Sequence, residues 1–295
     1  MMMALPLETA SWLMGAIWRA VAPHTHRHAR ALRHLQIAFP EKSDAQRNQI
    51  ALAMWDNMGR TAAESLCIDK LLNDPSRFDD RTGDVCMRVR DNGKGAVLIS
   101  LHMGNWEVAA MPGLIYDLQP MGVYQRIRNP LVDAYVRARR HKLYPAGLIA
   151  KSREATRTLY EHAVAGGHIC MLADHRQADG IEVQFFGQPA MSLPYPAAVA
   201  LRLDIPLIVG RTVRLDGVRF ALEAEEIPLV RTGDRKRDTV AVTQAVQAVF
   251  ERWVRDNPGQ WMWTHQRWRV RGNPEPHIQD HEQAAAPLMK QETAK

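Results

Sequence analysis

Residues 96–107 read Ala96-Val97-Leu98-Ile99-Ser100-Leu101-His102-Met103-Gly104-Asn105-Trp106-Glu107. The first six form a short apolar run rich in β-branched side chains, too brief for a buried helix and typical of a strand covered on both faces. Gly104-Asn105 then breaks the run, and the sequence predicts a helix from Asn105, whose side chain can accept a hydrogen bond from a first-turn N–H. A buried strand feeding a helix through a tight turn is the repeating unit of α/β proteins.

The same alternation extends outward. Strand-like runs recur at 122–126, 169–173 and 206–213, separated by helical patterns around 105–116, 130–143, 151–165, 193–203 and 235–257. Residues 218–226 follow Asp216-Gly217 and read as a hairpin return, so one antiparallel edge is expected. Upstream, 29–72 is helical in pattern, with a break at Phe39-Pro40-Glu41 and a restart at Ser43-Asp44, a good N-cap ahead of Ile50, Met54 and Met58. The expected fold is α/β, a mixed and mostly parallel sheet flanked by helices, with a helical N-terminal segment. Three regions are expected: an interfacial helix over 1–28, one domain over 29–272, and a polar, flexible tail over 273–295.

Composition narrows the partners without choosing among them. The 295 residues are 46% hydrophobic and 24% charged, ordinary for a folded chain, and carry a formal net charge of +6. That charge favours anionic partners such as phospholipid, an acidic protein or nucleic acid. No zinc finger, RNA-binding aromatic motif or recognition-helix pattern accompanies it, so no nucleic acid is expected. Cys67, Cys86 and Cys170 are far apart and form neither a disulfide framework nor a CxxC pair. Residues 9–22 are apolar but interrupted by Arg19, shorter than the roughly 20 residues of a membrane span. Leu13, Met14, Ile17 and Val21 recur at helical spacing, Trp12 and Trp18 flank them, and His24, His26, Arg27, His28 and Arg30 follow. That pattern suits a membrane surface, with packing on the protein's own core as the other reading.

His102 and Glu107 are the candidate chemistry. Five residues on one straight helix would leave them about 140° apart, so they can meet only if the chain bends between them, which the Gly-Asn turn allows. His102 then stands at the carboxyl end of a strand, where open α/β sheets place ligands. The expected chemistry is acyl transfer: neutral His102 takes a proton from an attacking hydroxyl while Glu107 fixes the tautomer and stabilises the imidazolium. No GxSxG elbow offers an internal nucleophile, and no HExxH spacing or cysteine cluster supports zinc, so no metal is expected. A satisfied structural histidine is the bland alternative.

An ordered series of motifs resembles the bacterial acyltransferases of late lipid A biosynthesis, members of the lysophospholipid acyltransferase superfamily with an HX4E motif. The series runs through Phe39-Pro40-Glu41, Asn57-Met58-Gly59 with Glu64, and His102 to Glu107. It continues with Gly122-Val123-Tyr124, Asn129-Pro130-Leu131, Asp174-His175-Arg176, Phe185-Phe186-Gly187 and Trp263-Thr264-His265-Gln266-Arg267-Trp268. It covers about residues 15–270. The resemblance implies a glycerol-3-phosphate acyltransferase-like fold, transfer of a fatty acyl chain from acyl carrier protein to a hydroxyl of a lipid A precursor, and no cofactor beyond that acyl donor. It also implies a place at the cytoplasmic face of a bacterial inner membrane.

By the same resemblance Arg140, eleven residues after Asn129, would hold the reacting acyl group or its oxyanion, and Asp174 would orient Arg140 or contact the acceptor. With His102 and Glu107 these make the expected catalytic set. Asn105, Arg126, Arg137 and Arg139 are expected to bind substrate, the arginines against a phosphorylated glycolipid or an acidic carrier protein. Phe185, Phe186, Trp261 and Trp263 are candidates for an acyl-chain groove or for core. Two departures from the family pattern are the short N-terminal anchor and His175 beside Asp174. The alternatives are an acyltransferase for another glycolipid, such as a phosphoinositol mannoside, or for a phospholipid, using acyl-CoA, and a non-catalytic peripheral lipid-binding protein.

Overall fold

The computed structural model describes residues 5–268. The expected tail over 273–295 lies outside them. Among the described residues nine strands form: β1 Phe78–Asp80, β2 Ala96–Ser100, β3 Met121–Tyr124, β4 Gly147–Ala150, β5 His168–Leu172, β6 Ile181–Phe185, β7 Gln188–Ser192, β8 Leu207–Arg214 and β9 Phe220–Ile227. Seven make one sheet in the order β1-β9-β8-β2-β5-β3-β4, and β6 and β7 pair as a separate hairpin. Only β8 and β9 pair antiparallel within the large sheet, so the α/β, mostly parallel expectation is met, including the antiparallel return over 218–226.

The described residues also form ten α-helices: α1 Leu7–Val21, α2 His26–Ala38, α3 Asp44–Leu66, α4 Ile68–Leu72, α5 Gly83–Asp91, α6 Met111–Ile115, α7 Pro130–Arg140, α8 Arg153–Val164, α9 Tyr195–Leu203 and α10 Arg235–Asp256. Ser43 caps α3 as the sequence predicts, in a reciprocal capping box with Gln46. Central β2 shows why the sheet needs cover on both faces. Val97, Ile99 and Leu101 enter the main core with Leu35, Met54, Phe250 and Trp261, while Ala96 and Leu98 face a second cluster with Cys86, Val89, Leu118 and Ile208. Each such aliphatic side chain contributes roughly 1.5–3 kcal/mol on burial.

The N-terminal helix packs one face on the protein and leaves another exposed. One side of α1 lies against α3 so closely that a Cβ on Gly59 would sit 2.4 Å from the Met14 carbonyl oxygen. On the other side Trp12, Ile17 and Val21 are exposed. Among the described residues no helix is long and apolar enough to cross a membrane.

The segment after β2 departs from the expected helix. A 3-10 turn over Trp106–Val108 precedes the short α6, because the Gly104 turn is tied to its neighbours rather than released into a helix. Gly104 has φ +58°, and a Cβ there would collide with the Thr212 carbonyl at 1.9 Å. Its N–H donates to the Gln260 carbonyl, and its own carbonyl accepts from Asn57 Nδ2 and Thr61 Oγ1.

Candidate active site

The site follows from the β2–β5 register. Ser100 pairs with Leu172, and the Ala173 N–H donates to the Ser100 carbonyl, so the chain two residues beyond each strand brings His102 beside Asp174. His102 Nδ1 lies 2.7 Å from Asp174 Oδ1, and the His102 backbone N–H donates to Oδ2 at 2.9 Å. The Trp261 indole N–H adds a third donor to Oδ2 at 2.8 Å. Burial by itself pushes the Asp174 pKa up. The charge of His102 and its hydrogen bond, helped by His175 and His265, outweigh burial and hold the carboxyl far below its ordinary value. An ionised carboxylate can only accept, so Nδ1 carries the imidazole proton and Nε2 presents the lone pair.

This corrects the expected pairing. The group that fixes the His102 tautomer is Asp174, not Glu107, and Asp174 does not orient Arg140. Glu107 instead receives Arg140: Nε donates to Oε2 at 2.6 Å and Nη2 to Oε1 at 2.5 Å, a bidentate contact. The Trp106 indole N–H also donates to Glu107 Oε1 at 3.1 Å. Burial disfavours the charged Arg140, but the charge and hydrogen bonds of Glu107 outweigh it and raise the guanidinium's pKa. Both Glu107 oxygens are spent on these donors, on a residue whose backbone sits in the 3-10 turn rather than behind His102 on a helix.

Asn105 is also placed otherwise than expected. It is fully buried, accepting from the Glu107 N–H and donating Nδ2 to Glu64 Oε2 at 2.8 Å, so it shapes the turn and has no surface for substrate. Glu64 in turn accepts from Ser11 Oγ and from Arg214, which also reaches Asn57. The Asn57 and Glu64 motifs are thus one buried polar scaffold under the turn, fully paired as such networks must be. Arg126 and Arg137 are exposed beside Asp133, which is held by the Tyr124 hydroxyl and the Ile127 N–H. Arg139 stacks on Tyr135, its guanidinium carbon 3.4 Å from the ring centroid.

The aromatic candidates for a groove are core. Trp261, Trp263 and Phe185 have no accessible surface, and Phe186 packs between Phe39 and Trp263 at the tip of the β6–β7 hairpin. A cavity of about 540 Å³ is lined by Ile37, Arg176, Glu182, Met191, Arg267 and Trp268, and His102 is not in its lining.

Two histidines complete the site. His175 Nε2 lies 3.1 Å from His102 Nε2, and His265 packs on both, its ring centroid 4.8 Å from His102 and 3.9 Å from His175. His175 keeps exposed surface. Close protein packing around its ring and the charge of His102 nevertheless push its pKa down. Burial pushes that of His265 well below its ordinary value, with His175 and His102 adding to the effect. The sequence contained these residues within its motifs but gave no reason to join them. His265 reaches His102 only because the Met262 N–H donates to the His102 carbonyl and Met103 bridges to Trp261, laying the C-terminal segment across the strand end.

A family model described as bacterial lipid A biosynthesis acyltransferase matches residues 1–270. The chain is also similar to "Lipid A biosynthesis acyltransferase 2" of Shigella flexneri, 21% identical over 242 residues, covering 79% of this chain and 75% of that protein.

Proposed function

The chain belongs to the bacterial lipid A biosynthesis acyltransferase family and is by that membership an acyltransferase, and we propose that it moves a fatty acyl chain from the thioester of an acyl carrier protein to a hydroxyl of a lipid A precursor. The observation that carries the mechanism is the 2.7 Å contact between His102 Nδ1 and Asp174, which leaves Nε2 as the basic nitrogen.

The acceptor hydroxyl displaces His175 from His102 Nε2 and gives up its proton there as its oxygen bonds to the thioester carbonyl carbon. The carbonyl electrons move onto oxygen, forming a tetrahedral oxyanion. Collapse restores the carbonyl and breaks the carbon–sulfur bond, and the departing thiolate takes the proton back from the His102 imidazolium. Asp174 stabilises that imidazolium without itself becoming protonated. Arg140 supplies positive charge for the oxyanion. Its Nε and Nη2 engage Glu107, leaving Nη1 with no hydrogen bond among the described residues. One such donor contributes about 3–4 kcal/mol when its geometry is fixed in advance. Glu107 is then a positioning residue for Arg140. The exposed Arg126 and Arg137 suit the acidic surface of the carrier protein. Exposed Trp12, Ile17 and Val21 on α1 support docking at the cytoplasmic face of the inner membrane.

The test is transfer of labelled acyl groups from acyl carrier protein to a lipid A precursor by wild type and His102→Ala, with acyl-CoA offered in parallel. Loss of transfer in a folded variant is expected, with the carrier-bound donor preferred. Near-normal activity of His102→Ala would remove the base from this mechanism.

A further inference from the structure

His102, His175 and His265 point ring nitrogens at a common space, and all three nitrogens lie within 4.8 Å of one another. Nitrogens bound tetrahedrally at 2.0–2.1 Å from one zinc ion sit about 3.3 Å apart. The His102 and His175 pair already has that spacing, at 3.1 Å. The His265 nitrogen lies within 4.8 Å of both and must close the remaining distance on binding. Two further observations point to a ligand here. His265 Nε2 is buried with no hydrogen-bond partner among the described residues, although buried polar atoms are normally paired. His102 donates its Nδ1–H to the buried Asp174 carboxylate, the arrangement that orients a metal-binding imidazole and raises its basicity. Exposed His175 leaves a route from solvent.

We propose that these three imidazoles form a site for a divalent transition-metal ion of zinc's class, with water in the fourth position. The donor set is nitrogen alone, without thiolate or a carboxylate in the inner shell, which suits Zn²⁺, Co²⁺ or Ni²⁺ and excludes Mg²⁺ and Ca²⁺. One consequence rests on the function proposed above. A metal on His102 Nε2 occupies the lone pair the base needs, so the ion inhibits transfer and competes with the acceptor hydroxyl.

The full-length protein, stripped with chelator and dialysed, is titrated with Zn²⁺ by calorimetry and with Co²⁺ by visible absorption. One equivalent per chain is expected, with a tetrahedral Co²⁺ spectrum. Affinity should weaken at least tenfold in His175→Ala and in His265→Gln, each checked for folding by circular dichroism. It should be unchanged in the His24→Ala/His26→Ala double variant, which removes exposed histidines elsewhere. Absence of stoichiometric binding overturns the site, as does equal affinity in wild type, His175→Ala and His265→Gln. Assays of acyl transfer then separate the two proposals: Zn²⁺ inhibition reversed by chelator upholds both. Zinc bound at these histidines without inhibition upholds the metal site and overturns His102 as the base.

Discussion

His102–Asp174 and Arg140–Glu107 are both short, charge-assisted pairs, yet they are held by different kinds of structure. The first joins the ends of two central strands whose backbone ladder continues to Ala173, and the Asp174 carboxylate takes three donors. The second joins a 3-10 turn to the last residue of α7, neither partner following directly on a strand. Rigid main-chain pairing suits the base proposed for His102, whose tautomer must not change. A pair on a turn and a helix end has no such backbone ladder to fix it.

The largest expected effect comes from breaking the strand-end pair. Asp174→Asn keeps the shape but offers His102 no ionised acceptor, so kcat should fall by about 10⁴ with little change in KM. Steady-state kinetics in a variant of unchanged thermal stability checks this. Arg140→Ala should cost about 10²–10³ in kcat. Glu107→Gln, which keeps an acceptor for Arg140, should lose less than Arg140→Ala; an equal or greater loss would mean that Glu107 does more than position Arg140.

Gly104 sits between the two pairs and sets the path from one to the other. Gly104→Ala combines a positive-φ position with a carbonyl clash, and about 3 kcal/mol of stability should be lost in urea unfolding. An unfolding midpoint unchanged from wild type would show that the turn can relax away from Thr212.

The smallest effect distinguishes the pairs by pH. The fully buried His34 bonds the Trp263 carbonyl on the segment that backs Asp174, and burial, offset in part by that bond, pushes its pKa down to about 4. A histidine whose folded pKa lies below its unfolded value of about 6.5 binds its proton preferentially in the unfolded chain, so stability falls as pH drops through 6.5. Between pH 6.5 and 5 this one group should remove up to about 2 kcal/mol. His34→Gln should flatten that slope in urea titrations. The Asp174 contribution, with its depressed pKa, is present above the unfolded carboxylate value and persists through this window.

The strand before His102, the strand before Asp174 and the N-cap at Ser43 were readable because each depends on local pattern. The partner of His102 was not, because it depends on which strands are neighbours and in what register. Both residues lie two positions past their strands, a symmetry that only the Ser100–Leu172 pairing turns into a contact. The β6–β7 hairpin escaped for another reason. Its two-residue turn is Phe186-Gly187, both with positive φ, where Asn-Gly would have announced it. Phe186 accepts that backbone because its ring is held among Phe39, Phe185 and Trp263. Chain segments far apart in sequence also hid His265, which no local spacing links to His102.

The last described segment, from Trp261 onward, bears on how the enzyme is made. The strand end carrying His102 leaves the ribosome about 160 residues before the tryptophan that braces Asp174. At 5–20 residues per second that interval lasts roughly 8 to 30 s. Throughout it the nascent chain can hold most of its sheet, but the Asp174 carboxylate still lacks the Trp261 donor and His102 lacks His265 beside it.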